Sequence, residues 1–156
     1  MKKILDSRRL LGATVRTDLK ELALLYKGLM KTHHPDRFQH DEALKHSAED
    51  MSKRIIDAYH FLVSISRETH AQQREEYERT IASSTITEFH YRAQTVHLTF
   101  HDGSVYEYFG VPQNVYNKFV NNDASLRFAR RHICHAYSFR RVKKPNAPTQ
   151  PAATSQ

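Results

Sequence analysis

The segment YKGLMKTHHPDR, residues 26–37, decides the fold of the first half of the chain. Together with the residues before it, the segment forms an apolar stripe at positions i, i+3, i+4 and i+7 of a helix. The stripe consists of Leu22, Leu25, Tyr26 and Leu29. Pro35 disfavours helical geometry in the residue before it, so we expect this helix to end near His33. The segment therefore predicts a helix that leads into an exposed turn, His34-Pro35-Asp36-Arg37.

A capping signal precedes this helix, and two further helices are predicted after the turn. Thr17 or Asp18 can cap the first helix, and Glu21 follows Asp18 at the spacing of a capping box. The second helix is expected from about Asp41 to about Ser64, and a third, polar one from about Arg67 to about Arg79. The apolar stripe of the second helix consists of Ile55, Ala58, Tyr59 and Leu62. Two antiparallel helices whose apolar faces point inward bury one small core.

The turn between the helices suits recognition and not catalysis. A histidine and a carboxylate on an exposed loop have no substrate pocket in which to perform acid–base chemistry. The stiff Pro35 can instead fix the carboxylate of Asp36 in one direction, where it can accept a charge-assisted hydrogen bond from an arginine of another protein. Lys20, Lys27 and Lys31 lie off the apolar stripe, so we expect them to face solvent beside the turn. The pattern predicts a protein-binding module that is not an enzyme.

Residues of roughly 5–80 resemble the J domain, the helical module of DnaJ-type co-chaperones. The matching residues are Leu10-Leu11-Gly12, Tyr26-Lys27, Leu29, His34-Pro35-Asp36-Arg37, Ile55, Ala58-Tyr59, Leu62 and Gln73-Arg74-Glu75-Glu76-Tyr77. The sequence departs from the family pattern at Ser7-Arg8, where an aromatic pair is usual, and at Gly28 and Thr32, where basic residues are usual. The loop and helix after Asp36 are also about one turn longer than is typical of the family.

The resemblance implies that the chain docks on a DnaK-type ATPase chaperone and stimulates its ATP hydrolysis. His34 and Pro35 would fix the turn, and Asp36 would accept hydrogen bonds from an arginine near the interdomain linker of the partner. Four basic residues would meet an acidic surface of the partner: Lys20, Lys27, Lys31 and Arg37. The C-terminal part would then supply the client or the location.

The second half of the chain is more basic than the first. The 156 residues carry a formal net charge of +7, of which +2 falls in residues 1–82 and +5 in residues 83–156. No acidic side chain follows Asp123. This balance favours an acidic partner, either a nucleic acid or an acidic protein surface. We therefore divide the chain into a helical domain (1–82), a basic domain (83–144) and a disordered tail (145–156) that is rich in proline and small polar residues.

The surroundings of the chain can also be inferred from its composition. Cys134 is the only cysteine, so no internal disulfide can form, which favours a reducing compartment. The N-terminus lacks the apolar core of a signal peptide, and no apolar run approaches the length of about 18 residues that a membrane span needs. We expect a cytoplasmic protein without a membrane segment.

Alternating apolar residues predict strands in the basic domain. Val96, Leu98 and Phe100 alternate with polar residues, and His101-Asp102-Gly103-Ser104 has the composition of a hairpin turn. Strands are expected over about 86–91, 95–100 and 105–109, with helices after Pro112 and from about Ala124. The predicted fold class is α+β: an N-terminal helical hairpin, then a three-stranded antiparallel meander with C-terminal helices.

Residues of roughly 84–140 resemble the KTSC domain, a short bacterial module that is also found at the C-terminus of some lysyl-tRNA synthetases. The matching residues are Val96, Leu98, Phe100, Gly103, Tyr106, Tyr108, Val111-Pro112, Val115-Tyr116, Ile133 and Tyr137. Ser125-Leu126-Arg127 stands where the family has a glycine before its last helix. RNA binding has been suggested for this family from the context in which the domain occurs, and the resemblance implies no more than that suggestion.

Two interpretations of Tyr106 and Tyr108 remain open at this stage. Both point to one face of the predicted sheet, where they could stack on the bases of a single-stranded nucleic acid, RNA or DNA. The basic residues that would then contact phosphates are Arg127, Arg130, Arg131, Arg140, Arg141, Lys143 and Lys144. Alternatively, both tyrosines belong to the core with hydrated hydroxyls, and the arginines form a solvated face.

The remaining candidate residues do not form a metal or cofactor site. His132, Cys134 and His135 lie close together on a predicted helix, but ligands from one helix alone are too few for a structural zinc ion. Cys134 has no evident base to activate it as a nucleophile. The chain has only 4 glycines, and none forms a phosphate-binding loop. We therefore expect no metal, no cofactor and no catalytic residues.

Overall fold

The computed structural model describes residues 1–147 of the chain and divides it into two units. The first unit is Met1–Arg74, and the second begins at Glu75. Residues 148–156, which make up most of the segment expected to be disordered, lie outside the described residues. No helix within residues 1–147 has the length and hydrophobicity to cross a membrane.

Six α-helices and four strands make up the described chain. The helices are α1 (Lys2–Leu11), α2 (Leu19–His33), α3 (Glu42–Ser64), α4 (Arg67–Ser83), α5 (Gln113–Val120) and α6 (Ser125–Ala129). The strands are β1 (Ile86–Arg92), β2 (Thr95–Phe100), β3 (Val105–Phe109) and β4 (Ser138–Lys143). A short 3₁₀ turn (Pro35–Phe38) follows α2, and a π-helical turn (Arg130–Cys134) continues α6.

Local signals in the sequence set the bounds of α2 and α3. Oδ1 of Asp18 accepts the backbone N–H of Glu21 at 2.8 Å, and the Glu21 carboxylate accepts the backbone N–H of Asp18 at 3.2 Å. This capping box satisfies two of the N–H groups that the start of a helix leaves free. The start of α3 is capped in a similar way, since Asp41 Oδ1 accepts the N–H of Leu44 at 3.1 Å. The predicted start of α2, its end at His33 and the helix ending at Ser64 are confirmed.

The core of the first unit lies between α1, α2 and α3. Its buried apolar residues are Ile4, Leu11, Leu22, Ala48, Ile55, Ala58, Phe61 and Leu62. No helix was predicted for residues 2–11, because the polar Ser7 stands between Ile4 and Leu11 on the buried side and interrupts the apolar stripe. Helix α1 ends at Gly12, whose φ of 70° is left-handed, and the Gly12 N–H points back to the Arg8 and Arg9 carbonyls. Glycine suits this position because it adopts positive φ without steric cost.

The second unit contains a four-stranded antiparallel sheet in the order β1-β2-β3-β4. The α+β class is confirmed, but the sheet has one strand more than the three that were predicted. Strand β4 pairs with β3, with Tyr108 opposite Phe139 and Glu107 opposite Arg140. The segment was missed because arginine and lysine dominate it, so that its strand character depends on pairing with a distant part of the chain.

The hairpin between β2 and β3 is a point of attachment for α4. The Asp102 carboxylate accepts hydrogen bonds from the Thr80 hydroxyl at 2.7 Å, the Ser104 hydroxyl at 2.6 Å and the Ser104 N–H at 2.9 Å. Burial raises the pKa of Asp102, but these hydrogen bonds outweigh it and the net pKa is lowered. Gly103 has a φ of 86°, and its N–H donates to the carbonyl of Phe100 at 2.9 Å. The predicted Asp-Gly hairpin is thereby confirmed.

The core of the second unit is organised around the hydroxyl of Tyr77. This hydroxyl donates to the carbonyl of Cys134 at 2.8 Å and lies 3.1 Å from the hydroxyl of Tyr108. The Tyr77 ring also stacks on Phe139, with the ring centroids 4.3 Å apart. Burial raises the pKa of Tyr77 and of Tyr108, and it raises the pKa of the Cys134 thiol to about 11. One side chain of α4 thus connects β3, β4 and the π-helical turn, and it lies against a thiol that stays protonated at neutral pH.

Replacing Tyr77 with phenylalanine should lower the free energy of unfolding by about 1–3 kcal/mol. The Tyr77→Phe variant keeps the ring but leaves the buried Cys134 carbonyl and the Tyr108 hydroxyl without this partner. Urea denaturation followed by circular dichroism measures the change. Tyr116→Phe is the matched control, because the Tyr116 ring packs on Tyr91 while its hydroxyl makes no hydrogen bond within residues 1–147. Equal losses in the two variants would contradict the role assigned to the Tyr77 hydroxyl.

Candidate functional site

The turn after α2 has a defined local geometry. His34 caps the 3₁₀ turn, because its Nδ1 accepts the backbone N–H of Asp36 at 3.2 Å. The same Nδ1 atom lies 3.4 Å from Oδ2 of Asp36. Pro35 occupies the first position of the turn, where its fixed φ suits the geometry. The Asp36 side chain remains 77% exposed, so its carboxylate faces solvent from a constrained backbone.

Two hydrogen bonds hold this turn on the helices beside it. The hydroxyl of Ser52, on α3, donates to the carbonyl of His33 at 3.0 Å, and the Ser52 side chain is buried. The Arg37 guanidinium donates to the carbonyl of Lys31 at 3.2 Å. Both acceptors belong to the last turn of α2, whose carbonyls have no partner within the helix. Arg37 therefore helps to hold the turn, besides the surface contact predicted for it.

Ser52 is a site-forming residue that the sequence analysis missed. It lies three residues before Ile55, on the buried side of α3, where Ala48, Ile55 and Leu62 are also buried. A serine on an otherwise apolar stripe was the available signal, since a buried hydroxyl needs a hydrogen-bond partner. On the same pair of helices, the rings of Tyr26 and Tyr59 stack with centroids 4.2 Å apart. This contact joins the middle of α2 to α3.

The three predicted lysines share one exposed face of α2. Lys20, Lys27 and Lys31 are separated by seven and four residues. At 3.6 residues per turn, these spacings place the three side chains within about 40° of one another around the helix axis. Leu24 lies between them and is 64% exposed. The structure thus brings a basic face with an apolar centre onto the helix that leads into the His34-Pro35-Asp36-Arg37 turn. We call it the lysine face (Lys20, Leu24, Lys27 and Lys31).

An open apolar groove of about 660 Å³ borders the lysine face. Its lining residues are Leu11, Thr17, Glu21, Leu24, Leu25, Gly28, Leu29 and Thr32. A Cβ atom added at Gly28 would meet no atom outside its own helical turn within 4 Å, so the glycine is not required by packing at that point. These features suit contact with another macromolecule.

The two tyrosines proposed for nucleic-acid stacking are core residues. Tyr106 and Tyr108 are both 0% exposed, and they pack between the sheet and the elements that cover it. Burial raises the pKa of Tyr106 to about 12, although the nearby Arg141 opposes this shift. A base cannot stack on a ring that solvent does not reach. The stacking interpretation of this pair is therefore wrong. Both rings belong to the core, as the alternative interpretation expected, but their hydroxyls are buried and not hydrated.

The predicted basic residues divide into two groups. Arg140 pairs with Glu107, with Nε 2.6 Å from Oε2, and Arg141 pairs with Glu76. Lys143 and Lys144 are exposed at the end of β4 and just after it. The structure separates all four from the remaining arginines, which lie on α6 and the π-helical turn.

Arg127, Arg130 and Arg131 lie together and form what we call the arginine cluster. They surround an open concavity of about 440 Å³, whose fourth lining residue is His135. Within residues 1–147, none of the three arginines forms an ion pair with a carboxylate, and the nearby Glu78 contacts His135 with Oε2 3.9 Å from Nε2. The three arginines were predicted from the sequence as phosphate contacts, whereas His135 was not.

The residues first considered as metal ligands do not converge. Cys134 is buried, whereas His132 and His135 are exposed. In the part of the chain that the structure describes, no three histidine, cysteine or acidic side chains lie close enough to share a metal ion.

Residues 82–137 match the family model of the KTSC domain. The matched region runs from the end of α4 through the first three strands to the residues just after the π-helical turn. It includes the buried Tyr106 and Tyr108 and the whole arginine cluster. No curated protein matches the chain.

Replacing Ser52 with alanine should destabilise the first unit by about 1–2 kcal/mol, because the His33 carbonyl loses a buried donor. Urea denaturation of the Ser52→Ala variant measures the change. Ser64→Ala is the matched control on the same helix, since the Ser64 hydroxyl donates to the Phe61 carbonyl of its own helix. A Ser52→Ala variant no less stable than the control would show that the hydrogen bond does not hold the turn.

Proposed function

We propose that the protein is a J-domain co-chaperone that docks on a DnaK-type ATPase chaperone and stimulates its ATP hydrolysis. The single observation that carries the proposal is the exposed Asp36 carboxylate, carried on a backbone that the His34 cap constrains at the turn between α2 and α3. The resemblance to the J domain described from the sequence, which includes this turn and the residues around it, supports the same proposal. In this proposal the protein itself performs no chemistry.

The turn supplies the specific contact of the proposed complex. The Asp36 carboxylate accepts charge-assisted hydrogen bonds from an arginine near the interdomain linker of the chaperone. His34 and Pro35 fix the direction of the carboxylate before the partner arrives, which lowers the entropy lost on binding. Ser52 and Arg37 hold the turn on α2 and α3.

The lysine face supplies attraction to an acidic surface of the partner. Lys20, Lys27 and Lys31 are exposed and belong to the helix that ends at the turn. Charges at the rim of an interface mainly increase the rate of encounter and contribute less to the final affinity. The exposed Leu24 at the centre of this face adds apolar area that the partner can cover. The second unit, with its match to the KTSC domain, supplies the client or the location.

The chaperone's steady-state ATPase rate tests this proposal. The wild-type chain should stimulate a DnaK-type chaperone from the same source, whereas His34→Gln should stimulate it weakly or not at all, because the imidazole no longer caps the Asp36 N–H. His46→Gln is the matched control, since His46 is exposed on α3 and pairs with Asp50 of the same helix. Equal stimulation by wild type and His34→Gln, or none by either, would refute the proposal.

The position of Gly28 allows a gain-of-function test. Gly28→Arg adds a charge beside the lysine face, in open space. We expect the concentration for half-maximal ATPase stimulation to fall about threefold at low salt, the effect of one added rim charge.

Gly28→Ala is the control for this test. Both substitutions should stabilise α2 by up to about 1 kcal/mol, because glycine is a poor helix former, but only arginine adds charge. An equal change in half-maximal concentration for both variants would assign the effect to helix stability and would contradict electrostatic docking.

A further inference from the structure

Helix α6 and the π-helical turn place buried and basic residues on opposite sides of one segment. Ala129, Ile133 and Cys134 point into the core and are buried. Arg127 and Arg131 are four residues apart, as are Arg131 and His135, so that all three follow the outer side. The Cys134 carbonyl at the end of the segment is held by the Tyr77 hydroxyl. The backbone that carries the arginines is therefore held in place by its contacts with the core.

The charge of the arginine cluster is not neutralised by its surroundings. Within residues 1–147 the cluster forms no ion pair, in contrast to Arg140 and Arg141, which do. The acidic group of the neighbouring α4 that reaches this region is Glu78, and it contacts His135. Three guanidinium groups around one concavity repel one another, and an anion that enters the concavity relieves this repulsion. The planar donor groups of arginine suit the oxygen atoms of a phosphate.

A second concavity, of about 240 Å³, adjoins the first and has a different chemical character. Its lining residues are Asn122, Ala124, Arg127, Phe128, Arg131 and His132. The rings of Phe128 and His132 lie with their centroids 4.6 Å apart. Asn122 is held in place because its Oδ1 accepts the N–H of Ala124 at 2.8 Å. An aromatic ring, an imidazole and an amide are the groups that stack on and hydrogen-bond to a nucleobase.

Arg127 and Arg131 line both concavities, so that an anion site and an aromatic site share a wall. A nucleotide has the same arrangement, with a planar base beside a charged phosphate. We propose that this surface binds single-stranded nucleic acid, with a phosphate within the arginine cluster and a base against Phe128 and His132. The assignment does not depend on the co-chaperone activity, and it replaces the excluded platform of Tyr106 and Tyr108 with a different set of aromatic residues.

Fluorescence anisotropy of the full chain with a short labelled single-stranded RNA of mixed sequence tests the proposal. We expect micromolar binding that weakens steeply between about 50 mM and about 200 mM salt. The double substitution Arg127→Ala with Arg131→Ala should abolish most of the binding. It should also reduce the slope of log K against log salt by about 1.4, since each lost phosphate contact accounts for about 0.7 with single strands.

A charge-matched control separates a specific site from general attraction. Lys53→Ala with Arg54→Ala also removes two positive charges, from exposed positions on α3 that belong to neither candidate site. This control should change the dissociation constant by less than about threefold. Equal losses in the two double variants would overturn the proposal, as would the absence of salt-dependent RNA binding by the wild type.

The aromatic part of the site has its own test. Phe128→Leu keeps the apolar contact of Phe128 with the core but removes the ring, so RNA binding should weaken about tenfold with an unchanged salt slope. Inorganic polyphosphate, which has charge and no bases, should bind wild type and Phe128→Leu equally. If RNA also binds both equally, the surface binds anions without a base site, and the assignment to nucleic acid is refuted. A circular dichroism melt of each variant confirms that it is folded.

Discussion

The ends of helical segments leave carbonyl groups without partners, and two of the carbonyls in this chain accept hydrogen bonds from side-chain hydroxyls of another element. The carbonyl of His33, at the end of α2, accepts a hydrogen bond from Ser52, and the carbonyl of Cys134, at the end of the π-helical turn, accepts one from Tyr77. Both donors are buried, so each carbonyl would be costly to leave unsatisfied. Each of these hydrogen bonds fixes a segment that presents charged residues to solvent. The positions of both candidate sites therefore depend on buried polar contacts as well as on apolar packing.

Local rules were sufficient where a few neighbouring residues determine the conformation. The capping box at Asp18, the helix end before Pro35 and the Asp102-Gly103 hairpin were all predicted from spacing and residue type, and all are confirmed. Contacts between distant parts of the chain could not be predicted in this way. The fourth strand forms because it pairs with β3. The acceptor of the Ser52 hydroxyl, the His33 carbonyl, is identified only once α2 and α3 are packed. Alternation placed Tyr106 and Tyr108 on one face of the sheet, but it could not show that other elements cover that face.

The same limit applies to the basic residues after Asp123. Composition treats these basic residues as equivalent, although two of them have acidic partners much earlier in the chain. Glu107 and Glu76 pair with Arg140 and Arg141, so these two arginines contribute to the fold of the second unit. The arginine cluster has no such partner within residues 1–147. A basic surface becomes evidence for a ligand only after the internally neutralised charges have been subtracted, and this requires the structure.

Different residues hold the His34-Pro35-Asp36-Arg37 turn and carry its exposed carboxylate. Ser52 is buried and donates to a helix end, whereas the Asp36 carboxylate is largely exposed, and its close side-chain contact within residues 1–147 is with His34 Nδ1 of the same turn. An exposed carboxylate in such a pair adds little to stability. The constrained backbone at Asp36 therefore has no evident benefit for folding, and the proposed role in binding would account for it. Because Ser52 holds the turn and Asp36 carries the proposed binding group, substitutions can affect stability and the proposed docking separately, and this allows a docking defect to be distinguished from an unfolded protein.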